Sequence, residues 1–124
     1  MNNFLLVALG GAAGSMARYS LSLRWSGATW PQGTFVANAA GGLLIGVLAG
    51  FLATRTGEGS ERLRLLLQVG LLGGFTTFSA YSLETVTMIE RRAYAAAAGY
   101  ALGSVVISLL AVSLGLVIAR RVFA

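Results

Sequence analysis

Four stretches of this chain contain no charged residue: those between Met1 and Arg18, Trp25 and Thr54, Leu65 and Leu83, and Ala93 and Ala119. Each has room for the about 17 to 25 apolar residues that cross a hydrocarbon core of roughly 30 Å as a helix. Lipid is the solvent that suits four such runs. Of the 124 residues, 56% are hydrophobic and 10% charged, whereas roughly a quarter are charged in an ordinary soluble domain. Four spans with short connections use up the chain. The sequence therefore predicts an all-α integral membrane protein in which residues 1–124 form a single four-helix transmembrane domain.

The charges narrow the function classes. The formal net charge of +5 comes from arginine alone, because Lys, Asp and His are all missing. The arginines stand singly or in pairs at span ends, where anionic lipid headgroups are the common partner. This is not a nucleic-acid surface. Without Cys or His there is no disulfide, no thiol nucleophile and no zinc site of the usual ligand types. No set of nucleophile, base and acid is visible, nor a phosphate-cradling motif, and the chain does not read as an enzyme. The opening Met1-Asn2-Asn3 lacks the positive flank of a secretory signal, which makes the first apolar run a retained span.

Helix one is expected over about Phe4 to Leu23. A loop over Arg24 to Gln32 follows, holding the one proline, Pro31, with Trp25 and Trp30 as markers of a membrane interface. Helix two is expected over about Thr34 to Ala53, an aqueous loop over Thr54 to Arg64, helix three over about Leu65 to Met88, and helix four over about Ala93 to Ala119. With the amino terminus on one side, that side carries Arg55, Arg62, Arg64, Arg120 and Arg121. The other carries Arg24, Arg91 and Arg92, with Arg18 close by. So small a bias does not fix an orientation. For a chain that inserts both ways, the natural assembly is an antiparallel dimer with its two-fold axis in the membrane plane.

Seventeen glycines need a reason, since each costs about 1 kcal/mol in a helix interior relative to alanine. Gly10 and Gly14, Gly42, Gly46 and Gly50, Gly70 and Gly74, and Gly99 and Gly103 recur every four residues, a spacing that makes smooth grooves for close helix packing. Gly73 and Gly74, followed by Phe75, Thr76 and Thr77, differ: two glycines beside two β-branched residues weaken a helix. A break there predicts backbone that is buried in protein or lines a polar cavity.

Several polar groups fall inside the spans. Arg18, near the end of helix one, reads either as a functional charge or as a side chain that lifts its head to water. Asn38, a turn into helix two, offers a two-donor amide and also suits a plain interhelical tie. Glu84 is placed to pair with Arg18, which would make both structural. Ser104 and Ser108 share one face of helix four, although serines in membrane helices commonly bond back to their own backbone. The densest cluster runs from Gly73 to Glu84, where ring edges, which are electropositive, alternate with hydroxyls. An anion has partners there in place of lost water.

At this cluster the chain resembles the CrcB or Fluc family of fluoride channels. The matching pieces are Gly10-Gly11 through Gly14 with Arg18-Tyr19; Pro31, Gly33 and Thr34 leading to Val36, Asn38, Gly41 and Gly42; and Gly73-Gly74-Phe75-Thr76-Thr77-Phe78-Ser79 running on to Ser82 and Glu84. They come in family order and span essentially the whole chain. The resemblance implies a dual-topology, antiparallel homodimer with a broken third helix and two fluoride pores. It implies a pore lined by Asn38, Phe78, Tyr81, Ser104 and Ser108, with Thr34 and Tyr100, and a vestibule holding Arg18 and Glu84. It also implies a central sodium ion on the two-fold axis, ligated by the backbone carbonyls of Gly73 and Thr76. Tyr81 departs from the family pattern, which usually has phenylalanine there, and so does Ala80, where threonine is common. The alternative is a proton-coupled exporter of the small multidrug-resistance type, which needs an acidic residue inside helix one. The internal charge of that helix is instead Arg18.

Overall fold

A computed structural model describes residues 2–27 and 30–123. Met1 of the amino-terminal reading, and Ala28 and Thr29 of the expected Arg24–Gln32 loop, lie outside the described residues. Among the described residues, four helical runs are long and apolar enough to cross a membrane.

The first, α1, spans Asn3–Arg24, about 33 Å at 1.5 Å per residue. It opens on Asn2, whose side-chain oxygen accepts the Phe4 N–H at 2.7 Å and satisfies an amide that a helix start leaves unpaired. Helix α2, Gln32–Leu52, begins directly after Pro31, which has no N–H to lose there. The last span is α6, Tyr94–Phe123.

The third run is composite. Helix α3, Glu58–Leu63, follows Gly57, whose φ of 103° suits glycine. The expected loop is therefore shorter than its polarity suggests, because Glu58 and Glu61 favour the positive end of a helix and Glu61 pairs with Arg64 at 2.8 Å. A π-helical segment, Arg64–Leu72, and a short α4, Gly73–Phe75, continue the run. Thr76 (φ −90°, ψ 157°) and Thr77 (φ −153°, ψ 126°) are extended, and the helix resumes as α5, Phe78–Glu90. Gly73 and Gly74 stay helical; the extended backbone belongs to the β-branched pair after them.

The connection from α5 to α6 is tight. Arg92 N–H bonds to the Ile89 carbonyl at 2.9 Å and Ala93 N–H to the Met88 carbonyl at 2.9 Å, the paired closure that ends many helices. Arg92 takes the left-handed position with φ 61°, where glycine is usual.

Close approach holds the spans together. A Cβ at Gly10 or Gly14 would strike the Leu66 or Leu71 carbonyl oxygen, which locks α1 on the third run. On the other side, a Cβ at Gly46 would strike the Val112 carbonyl and one at Gly115 the Leu43 carbonyl, so α2 and α6 meet backbone to backbone. Such contact supplies dispersion where lipid provides no hydrophobic drive. Gly99 and Gly103 are different, with nothing within 4 Å of where a Cβ would stand. At one end, Met88, Ala97 and Tyr100 form a buried cluster with Trp30, Phe35 and Tyr81 against it. Trp30 stacks edge-on to Tyr100 at 5.3 Å, so it also works as a packing residue.

Candidate functional site: a groove at the third-span interruption

The extended pair Thr76-Thr77 should leave helix hydrogen bonds unmade, and the sequence supplies replacements. Asn38, on α2, brackets Thr77: its Oδ1 accepts the Thr77 N–H at 2.8 Å and its Nδ2 donates to the Thr77 carbonyl at 3.0 Å. That pairing fixes which way the amide points and leaves one of its two N–H donors free. The Thr77 hydroxyl accepts the Ala80 N–H at 3.1 Å and so caps α5. In a continuous helix those two N–H groups would go to the carbonyls of Gly73 and Thr76. Both carbonyls are thereby relieved of their helical donors.

Around the interruption lies a groove of about 320 Å³. The α2 wall carries Asn38, Gly41 and Gly42, the third span contributes Thr76, Thr77, Phe78 and Tyr81, and α6 presents Ser104 and Ser108. Helical spacing explains the α6 contribution, because Tyr100, Ser104 and Ser108 recur every fourth residue on one face. Ser104 is 5% exposed, and among the described residues its Oγ is the one buried side-chain polar atom without a hydrogen-bond partner. It does not bond back along the helix, as Ser113 does to the Leu109 carbonyl at 2.9 Å. A buried hydroxyl left unsatisfied costs about 1–3 kcal/mol, and here it sits in a groove that can hold a ligand.

The rings form a row. Phe78, 77% exposed, stands 5.4 Å from Tyr81, and Tyr81 stands 5.5 Å from Tyr100. The extra hydroxyl of Tyr81 donates to the Ala101 carbonyl at 2.9 Å, so it ties α5 to α6.

Beyond that row is a second polar group. Glu84 accepts from the Thr34 hydroxyl at 2.7 Å and from the Tyr100 hydroxyl at 3.1 Å. The expected Arg18–Glu84 pair is not formed. Arg18 instead donates from Nε to the Gly74 carbonyl at 3.2 Å, because the Gly10–Gly14 contact brings α1 against α4 and away from Glu84. Thr34, Glu84 and Tyr100 thus form one cluster, Asn38, Phe78, Tyr81, Ser104 and Ser108 line the groove, and Arg18 lies with neither. Sequence reasoning missed Thr77 as a site residue, although a threonine directly before a helical run is a recognisable cap signal.

Comparison with known proteins gives the same affiliation from two directions. The profile of the family described as "CrcB-like protein, Camphor Resistance (CrcB)" matches residues 5–116. A protein of Phenylobacterium zucineum named "Fluoride-specific ion channel FluC" is 61% identical, over 100% of both chains. Proteins of the same name from Caulobacter sp. strain K31 and Caulobacter vibrioides strain NA1000 are 56% identical over 99% of this chain and 98% of theirs, and 52% identical over 100% of both. With four apolar spans and relatives that match end to end, this multi-pass membrane protein belongs to the CrcB family.

Proposed function

We propose that the chain is a passive, fluoride-selective channel of a bacterial inner membrane, working as an antiparallel homodimer with two pores. The names carried by its relatives support fluoride as the ion. The observation that carries the reading is the unpartnered Ser104 hydroxyl, buried in a groove that Asn38 and Phe78 also line.

Fluoride is small and holds its water tightly, so a pore must offer several donors together and still let the ion leave. In the proposed path, Asn38, Ser104 and Ser108 supply N–H and O–H donors, and Phe78 and Tyr81 supply ring edges. Thr34 and Tyr100 continue the row of hydroxyls toward Glu84, and Arg18 draws anions to the vestibule. No pump is needed. Hydrogen fluoride enters uncharged and dissociates, and the membrane potential drives the anion out with about 2.3 kcal/mol per 100 mV.

The carbonyls of Gly73 and Thr76, without their helical donors, suit a hard cation. In the proposed dimer they hold a structural sodium ion on the two-fold axis. The role is scaffolding.

Fluoride efflux from liposomes tests the reading. Ser104→Ala removes a buried hydroxyl that holds nothing within the chain, so folding stability should hold or rise while efflux slows about tenfold, the equivalent of about 1.4 kcal/mol. Efflux equal to that of the native chain would remove Ser104 from the path. Vesicles that hold fluoride as tightly as empty ones would remove the channel.

A further inference from the structure

A second groove, of about 280 Å³, runs along the outer side of α2. Leu44, Val47, Leu48 and Phe51 form its α2 wall, a three-four spacing that puts all four on one face. Seven residues of rise give it a length of about 10 Å, two-thirds of one leaflet's hydrocarbon depth of roughly 15 Å. The facing wall comes from the π-helical segment, where Leu67, Leu71 and Leu72 share the groove. The wider i→i+5 winding turns Leu72 to the same side as Leu67, which an α-helix would not. Phe123, at the end of α6, closes one end by packing edge-on to Phe51 with ring centroids 4.9 Å apart.

Every side chain in this groove is hydrophobic, yet cations stand at its closed end. The exposed Arg55 lies with its guanidinium carbon 4.0 Å over the Phe51 ring, a contact that orients the charge. Arg120 lines a separate cleft with Ala53 and Thr54, the two residues before Arg55. Arg64 is already paired with Glu61, whereas among the described residues no ion pair engages Arg55 or Arg120. An apolar slot with Arg55 over its closing Phe51 and Arg120 three residues before its closing Phe123 on α6 matches a molecule that is hydrocarbon at one end and anionic at the other.

We propose that this groove binds one acyl chain of an anionic phospholipid, with the lipid phosphate held between Arg55 and Arg120. Guanidinium suits phosphate because its donors match two oxygens at once. The inference is independent of what the protein conducts, and its test reads lipid retention alone.

The purified full chain in detergent is mixed with phosphatidylglycerol or phosphatidylcholine of matching chains, and bound lipid is counted by native mass spectrometry. Phosphatidylglycerol should be retained in preference, Arg55→Gln should lower its retention about fivefold, and Arg120→Gln should do the same. Leu48→Trp, which fills the slot, should lower retention with both arginines intact, and inorganic phosphate in excess should not displace the lipid. Equal retention of the two lipids, or phosphatidylglycerol retention unchanged in both arginine variants, overturns the proposal. So does efficient cross-linking of Leu67→Cys to a second copy, which would make the groove a protein contact.

Discussion

Asn38 holds both polar groups of the Thr77 backbone, and this is why the interruption costs little. An unpaired buried backbone group costs about 1–3 kcal/mol, and one amide removes two such costs. Asn38→Ala therefore damages scaffold and groove together, whereas Tyr81 allows the two to be separated. Its hydroxyl is bonded to Ala101 and its ring lines the groove, so Tyr81→Phe should cost about 1 kcal/mol of stability and leave fluoride efflux within about twofold of native. Thermal unfolding in detergent and liposome efflux read the two effects. A tenfold change in efflux would mean that the hydroxyl meets the ion. Spacing made the shared face of Ser104 and Ser108 legible in the sequence, whereas the grouping of Asn38 and Phe78 with them rested on the family resemblance. The partners of Glu84 were not legible. Thr34 and Tyr100 are hydroxyls on two other helices, and only the packing of α1 against α4 shows why Arg18 is out of reach.

At the scale of elements, the spans follow from their charge-free runs, and their ends follow from local chemistry. The closure after α5 shows both. Arg92 occupies a left-handed position that costs a non-glycine residue about 1–2 kcal/mol, while Ala93, the next residue, packs on the Met88 cluster. Arg92→Gly should relieve the strain and, after the entropy that glycine loses on folding, raise stability by about 0.5–1 kcal/mol. A lowered thermal midpoint would mean that the arginine side chain, not its backbone, matters. The third run shows where pattern reading stops. Its glycines suggested a weak point, but they remain helical, and the extended residues are Thr76 and Thr77, whose geometry depends on Asn38 from another helix. The π-helical winding of Arg64–Leu72 was not legible in the periodicity, because the segment's polar residues, Arg64 and Gln68, are four apart, a spacing that α and π windings both keep near one face.

At the scale of the whole molecule, glycine spacing alone did not distinguish inner from outer faces. Gly10, Gly14 and Gly46 meet backbone within the chain, but Gly99 and Gly103 face open space. The proposed dimer gives that face a partner. Gly103→Trp should therefore leave the helical content of the subunit intact and shift the protein toward monomer, read by cross-linking in membranes; undiminished dimer would place the second copy elsewhere. The diverted amides of Thr77 and Ala80 bear on how such a pair comes together. Both find their substitutes within one polypeptide, so the kinked segment needs no second copy to complete those hydrogen bonds. Assembly of the proposed dimer would then join two surfaces already formed, whichever way each copy entered the bilayer.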